Sequence, residues 1–516
     1  QDISGWNVSN GTNFSYMFFG ANSFNQNLNT WTLAASNINL LGMFYNNSNF
    51  ISNITGWNTR NVIDMRSMFF GATSFNQNIG NWDTSNVRSY GMNEMFRGAS
   101  AFNQNLSRWC VSNISSLPTN FKTNSALTNA HTPVWGTCLK IYFDGGICKC
   151  PDASAGDTAT ISGTTYTAVN NSTIAGQISS GNVNLCTTLV TNMSQLFKNN
   201  SNFNSNIAFW DTSNVESMYE MFLNADSFNQ PIGNWDTSNV TTTRGMFYSM
   251  PFNQSIGNWN TSKVQDMLGM FELNTAFNQP IGGWNVASVI TMKWMFKGAT
   301  SFNQPIGNWD VSKVTNMDAM FGSAQAFNQN IGNWDTSSVT IMKDMFASAF
   351  VFNQNIANWN TSNVTDMLGL FAGARAFNQP IGGWITSKVT NMYMMVGSAY
   401  AFNQYIGDWD VSSVTNMGGM FDGATAYNQS MTLWCVSQFS SEPSGFSLNN
   451  SMSNSNKPVW GTCPVAQDFV GPNITNILVT PTFVDVSSNA TKVITVSYRA
   501  TDTSGVNLNY NWRPSI

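Results

Sequence analysis

Apolar positions along this chain recur in fixed register about every 25 residues, separated by runs of Asn, Ser, Thr and Gly. Tryptophan marks the period most sharply: Trp210, Trp235, Trp259, Trp284, Trp309, Trp334, Trp359, Trp384, Trp409 and Trp434 stand 25 residues apart, with a single interval of 24. An earlier set, Trp6, Trp31, Trp57, Trp82 and Trp109, runs at intervals of 25 to 27. Such self-similarity is the signature of a solenoid, whose units bury their apolar residues only by stacking on one another. One unit, Phe302 to Ala326, reads FNQPIGNWDVSKVTNMDAMFGSAQA. Its stretch Gln304 to Trp309, bounded by Pro305 and Gly307, predicts a brief strand. Asp310 and Ser312 suit a helix start, and Val314, Met317 and Phe321 follow at i, i+3 and i+7, so a short helix or 3₁₀ piece is expected next. The small residues of GSAQA then turn the chain into the following coil. The fold class read from this pattern is an α/β solenoid with short parallel strands. Nine Trp intervals at strand spacing make an array about 43 Å long before its caps.

Three further columns each admit two readings. Methionine recurs as Met292 and Met295, Met317 and Met320, Met342 and Met345, and at matching places in other units. Adaptable core filler is the favoured reading and a metal- or peptide-binding stripe the rival. Asn229, Asn253, Asn278, Asn303, Asn328, Asn353, Asn378, Asn403 and Asn428 form a column expected to be an in-register ladder, each amide satisfying a neighbouring coil's backbone. An Asn-lined binding surface is the alternative. Asp211, Asp236, Asp310, Asp335 and Asp410 share a column with Asn260, Asn285 and Asn360. Stacked like charges repel, so either each caps a following helix or calcium bridges them; the Asn replacements favour capping.

Only 9% of residues are charged and the net charge is −5, which leaves no electrostatic footprint for nucleic acid and no basic patch for anionic lipid. No apolar run approaches the roughly 18 residues of a membrane span. The chain carries no GxxxxGK[ST], no HExxH and no EF-hand loop. Its single histidine, His131, reads as a cap or surface residue rather than a catalytic one. Acidic residues recur as a column rather than as one constellation, so the paired carboxylates of a glycosidase are not expected. The reading is non-enzymatic. Asn-x-Ser/Thr sequons are abundant, but composition alone produces them, and those in packed columns such as Asn253 and Asn428 are expected to be inaccessible.

The cysteines carry a more specific pattern. Trp109-Cys110-Val111-Ser112 leads to Pro133-Val134-Trp135-Gly136-Thr137-Cys138, and Trp434-Cys435-Val436-Ser437 leads to Pro458-Val459-Trp460-Gly461-Thr462-Cys463. These copies end each array, where an exposed edge must be covered. Disulfides Cys110–Cys138 and Cys435–Cys463 are predicted, each worth roughly 3 kcal/mol in the loop-entropy model. Cys186 lies at the N-terminal edge of the second array and is expected to staple a cap to Cys148 or Cys150, leaving one thiol over. A zinc site from Cys138, Cys148, Cys150 and Cys186 is the rival, disfavoured by its C-x-C spacing. Disulfide usage on this scale points to an oxidising, extracellular setting.

Residues 1–138 therefore read as a first array with its cap, 139–190 as a cysteine-containing insert and N-terminal cap, and 191–463 as a second array with its cap. Within the insert, ISGTTYTAV predicts a strand or hairpin and STIAGQI a short helix. Residues 464–516 alternate apolar and polar positions around Ile474–Val479 and Val493–Tyr498, the pattern of the opening of an immunoglobulin-like β-sandwich. Gln1 to Trp6 matches the second half of a unit, so the chain reads as a segment of a larger protein, or as one with a processed N-terminus.

The units FNQPIGNWDTSNVT (Phe228 to Thr241) and VTNMDAMFGSAQAFNQ (Val314 to Gln329) resemble the repeats of BspA-like leucine-rich-repeat bacterial surface proteins over roughly three quarters of the chain. That resemblance implies a leucine-rich-repeat-like solenoid on a secreted or cell-surface protein that adheres to host or matrix components, with no catalytic set to carry over. Two functions are expected: an adhesin whose solenoid face binds an extracellular protein or glycan, or a subunit that assembles with copies of itself into a surface filament. A clustered exposed aromatic or charged patch on one array is the feature that favours adhesion.

Overall fold

The computed structural model describes residues 2–464, 500–501 and 507–508. The chain divides into two compact units, one of residues 1–243 with 254–263 and one of 244–253 with 264–516. In each, the repeats stack as 25-residue coils built mainly of turns.

Neighbouring coils pair in parallel along one column. In the second unit single bridges run Asp266–Thr291–Asn316–Ile341–Asp366–Asn391–Asn416; in the first they run Asn192–Ser217–Thr242. Among the described residues, only β1 (Ile38–Asn39) and β2 (Val62–Asp64) extend this pairing into named strands. The strand expected over Gln304 to Trp309 does not form, and pairing occurs instead near Asn316. Pro305 has no N–H to contribute to a backbone ladder, and side chains make the inter-coil bonds of that stretch: Gln304 Nε2 donates to Asn278 O and Oδ1, and the Trp309 indole N–H to Ile281 O.

The short helix expected over Val314 to Phe321 is also absent. Alternate N–H groups leave the coil: Met317, Ala319, Phe321 and Ser323 donate to the carbonyls of Ile341, Lys343, Met345 and Ala347 at 2.6–3.0 Å. The intervening Met320, Gly322 and Ala324 donate three residues back, to Met317, Ala319 and Phe321, at 3.0–3.1 Å. Ala319 and Ser323 have positive φ, 47° and 57°, so overlapping i→i+3 turns replace a helix, which needs negative φ throughout. Apolar positions at i, i+3 and i+7 suit this winding as well as a helix.

The insert holds more regular structure. β3 (Tyr142–Asp144) and β4 (Ile147–Lys149) form an antiparallel hairpin. Its turn residues Gly145 and Gly146 both have positive φ, as a primed two-residue turn requires. β5 (Thr158–Ile161), β6 (Thr164–Asn170) and β7 (Leu185–Leu189) make a sheet in that order, antiparallel then parallel. α1 (Ile174–Ser179) is the crossover between β6 and β7. Around Ile141, Cys148, Cys150, Ala168 and Cys186 a small core forms against Phe143, Tyr166 and Phe209. The immunoglobulin-like reading of 464–516 falls almost entirely outside the described residues; within them, β8 (Ala500–Thr501) and β9 (Asn507–Leu508) pair antiparallel.

The C-terminal ends of the two arrays are built alike. Cys110 pairs with Cys138, and Cys435 with Cys463, each closing 28 residues. Within the arrays phenylalanines stack nearly parallel, as Phe321 on Phe346 at 5.7 Å and 9°. At the ends the geometry turns edge-on: Phe96 meets Phe121 at 86° and Phe421 meets Phe446 at 76°. Trp135 and Trp460 then stand edge-on to Phe121 and Phe446, so no flat ring is left for a further coil to continue the stack. Replacing Cys435 and Cys463 together by Ser is expected to lower stability by roughly 3 kcal/mol. A thermal melt of the double variant that superimposes on the wild type would show that ring packing alone closes this end.

Candidate binding face

Side-chain ladders hold the coils in register. Trp309, Trp334, Trp359, Trp384, Trp409 and Trp434 each donate their indole N–H, at 3.0–3.2 Å, to the carbonyl of Ile281, Ile306, Ile331, Ile356, Ile381 and Ile406 on the preceding coil. The same carbonyls accept the backbone N–H of their own coil's tryptophan, for instance Trp309 to Ile306 at 3.1 Å. Both lone pairs of each oxygen are thereby used. Trp210, at the start of the second array, turns instead to Val183 of the insert, 3.1 Å away. Trp235 and Trp259 continue the pattern in the first unit, onto Ile207 and Ile232.

The Asn column is a second ladder. Oδ1 of Asn253, Asn278, Asn303, Asn328, Asn353, Asn378 and Asn403 accepts the N–H of the next Asn in the column at 2.9–3.0 Å. In the first unit Asn229 donates to Asn204. The following coil's Gln adds its amide, as Gln329 does to Asn303 O and Oδ1 at 3.1 and 3.0 Å. His131 takes this Gln position at the first cap, its Nδ1 within 3.0 Å of both oxygens of Asn103. Asn456 takes it at the second, on Asn428.

Asp236, Asn260, Asn285, Asp310, Asp335, Asn360 and Asp410 do not cap helices, since no helix follows them. Each Oδ1 accepts the N–H two residues on, at 2.9–3.1 Å, closing a local turn. Hydrogen bonds from the Ser337 hydroxyl and N–H hold the Asp335 carboxyl below its ordinary range, against burial and the like charge of Asp310. Buried threonines form a column that composition did not single out. Thr336, Thr361 and Thr386 donate to the next coil's Asn360, Ile385 and Asp410 carbonyls, while isosteric Val286, Val311 and Val411 fill the place elsewhere.

Cys186 pairs with Cys150, leaving Cys148 as the buried free thiol, pushed up to about 12 by burial and by the nearby Asp211 charge. Cys138 and Cys150 are thus both engaged in disulfides. Among the described residues no group of three or more His, Cys, Asp or Glu side chains is placed to hold a metal ion. Nor is any helix there long and apolar enough to cross a membrane.

The outward face is set by the left-handed residues. Two occur per coil, four apart, and the residue before the second projects from the turn. In the first array the second left-handed residues are Gly20, Asn46, Gly71 and Gly98, so Phe19, Tyr45, Phe70 and Arg97 fall in one outer column. Phe19 stacks on Tyr45 at 5.1 Å, Tyr45 on Phe70 at 4.3 Å and 3°, and the Arg97 guanidinium lies 5.4 Å from the Phe70 ring. These spacings bracket the roughly 4.8 Å between strands, so coil stacking itself sets the ring stack. Exposed Tyr16 packs edge-on against Phe19, and Arg66 lies over exposed Tyr90 at 5.1 Å. In the second unit the same column carries Tyr248, then Glu272 and Lys297, paired at 3.0 Å, then Gly322, Ala347, Ala372 and Gly397. Beside it Lys293 pairs with Asp318 at 2.9 Å, and Lys293 and Lys297 lie 4.2 and 4.8 Å from the Trp294 ring.

Stacked 25-residue coils with short parallel pairing, stapled ends and little helix define a disulfide-bearing repeat protein. The chain belongs to the family described as Mycoplasma protein of unknown function, DUF285, whose model matches residues 1–39, 34–135, 166–259, 249–357 and 342–460. No curated protein and no solved structure matches it.

Proposed function

We propose that this chain is part of a non-enzymatic extracellular adhesin, a leucine-rich-repeat-like solenoid whose first array presents the adhesive face. One observation carries the reading: the outer ladder Phe19–Tyr45–Phe70–Arg97, exposed at Phe19, half-buried at Tyr45 and Phe70, and flanked by exposed Tyr16 and Tyr90, in a chain where most other large aromatic rings are buried. Contiguous exposed aromatics mark interaction sites, and Tyr and Arg are the residues that most often dominate interface energies. Three disulfides support an oxidising location. The alternating pattern of residues 464–516 supports an immunoglobulin-like module beside the arrays.

The test is binding of the chain to immobilised matrix proteins and glycans, with and without Tyr45→Ser and Phe70→Ser. At least one ligand is expected to be retained by the wild type and weakened about tenfold or more by the pair of substitutions, with the melting temperature little changed. Binding indifferent to the ladder would overturn the assignment. Electron microscopy of native material addresses the filament alternative, since continuous filaments with this chain as the subunit would replace the adhesin reading.

A further inference from the structure

A second site lies where the second array meets its C-terminal cap, distinct from the aromatic face and in the other unit. The pair of residues ending in each coil's first left-handed position is Lys293–Trp294, Asp318–Ala319, Lys343–Asp344, Leu368–Gly369 and Tyr393–Met394 in successive coils, and Gly418–Gly419 in the coil before the cap pair Ser444–Gly445. A cleft of about 470 Å³, within the roughly 300–1,000 Å³ of small-molecule sites, lies beside this bare pair, which the side chains of Tyr393 and Met394 cover. Tyr393 and Phe439 supply aromatic surface to it, and Asn416, Asp422, Pro443 and Ser444 line the rest. A methyl group on Gly418 would stand 3.2 Å from Tyr393 Cδ2, so the tyrosine ring lies directly against the bare backbone.

The first cap, a copy of this one, lacks that opening chemistry. Asn93 and Glu94 occupy the places of Gly418 and Gly419, and Arg97 that of Asp422. Glu94 pairs with Arg97 at 2.6 Å and accepts from Asn120, while Asn93 accepts the Thr119 N–H at 3.2 Å. One cap is thus filled by a polar network and the other left open.

We propose that the cleft binds a neutral saccharide. An apolar sugar face stacks on an aromatic ring, and its hydroxyls need a few fixed acceptors and donors. Asp422 meets that need: its Oδ1 accepts from Asn449 at 3.3 Å, and Oδ2 takes no bond among the described residues. Asn416 Oδ1 accepts the Gly418 N–H at 3.2 Å, which leaves its Nδ2 as a donor. No Lys or Arg lines the cleft, so an anionic ligand has no counter-charge. A peptide has no free edge to extend, because the Gly419 N–H already donates to Ser444 O at 3.0 Å.

The test is calorimetric titration of the whole chain with neutral di- and trisaccharides of glucose, galactose, mannose and N-acetylglucosamine. Saturable binding to at least one is expected, weakened about tenfold or more by Tyr393→Ala or Asp422→Ala and unchanged by the Tyr45→Ser, Phe70→Ser pair. Gly418→Asn with Gly419→Glu, which copies the first cap, is expected to abolish binding; Glu94 holds φ 59° where Gly419 holds 62°, but the added Cβ atoms would stand 3.2 Å from Tyr393 Cδ2 and 3.0 Å from Met394 Cγ, so those side chains must shift to admit the graft. No heat with any saccharide, or binding that survives Tyr393→Ala and Asp422→Ala, would overturn the proposal. Both variants alter partly exposed side chains, so the result does not depend on the graft folding, and neither outcome bears on the first array's face.

Discussion

Trp334→Ala is expected to lower the stability of the second unit by about 3–5 kcal/mol, the largest effect of any single substitution in a coil. The side chain is 3% exposed, lies parallel to Trp359 at 6.3 Å and packs on Phe321 at 6.2 Å, so its removal leaves a cavity that the flanking coils can close only by losing register. Trp334→Phe weights the loss toward hydrogen bonding. It keeps the larger part of the ring's packing and loses the bond to Ile306 O, which retains its partner Trp309 N–H. The expected cost is about 1 kcal/mol rather than that of a fully orphaned carbonyl. Urea unfolding followed by circular dichroism distinguishes the two variants. Equal losses would mean that the column acts through its hydrogen bonds and not through its packing.

The same column explains what was legible in the sequence. A tryptophan every 25 residues can be accommodated only if each indole meets the same surroundings, so stacking, the ends of the arrays and the in-register Asn amides all follow from spacing. The local winding does not. Val314, Met317 and Phe321 point inward in overlapping turns as they would in a helix, and the difference lies in the signs of φ at positions 319 and 323. Glycine normally announces positive φ. Here the first left-handed column holds Trp294, Ala319, Asp344 and Met394 beside Gly369 and Gly419, and each non-glycine is held in place by its N–H bond to the next coil. Only a comparison of coils, position by position, carries that signal. The outer aromatic ladder was hidden for the same reason: Phe19, Tyr45 and Phe70 look like core residues until the left-handed residues that follow them turn them outward.

The N-terminal cap of the second array depends on one carboxylate, and the second large effect is expected there. Asp211 is 2% exposed and accepts from Lys149 Nζ, Thr188 Oγ1 and Ser213 Oγ, each at 2.7 Å, and from the Ser213 N–H at 3.2 Å. It therefore ties the hairpin strand β4 and the sheet strand β7 to the first coil. Burial acts to raise its pKa, but the bonds from Lys149, Thr188 and Ser213 outweigh it and hold the carboxyl below its ordinary range. A folded-state pKa below the unfolded value of about 3.9 means that the stabilisation is present in full above that pH and is lost as pH falls through the folded value. Asp211→Asn is expected to cost about 2–3 kcal/mol at pH 7, less than the roughly 3–5 of a fully buried broken pair, because the Lys149 side chain is 28% exposed and can turn to water. Between pH 7 and pH 5 the deficit relative to wild type should stay constant, and below about pH 4 it should shrink as the wild type loses the same contribution. Lys149→Ala should give a smaller loss, since Asp211 keeps its bonds from Thr188 and Ser213, and combining the two substitutions should cost less than their sum. A deficit that persists unchanged to pH 2 would assign the effect to lost hydrogen-bond geometry, and would remove the carboxylate charge from the account of how this cap is held.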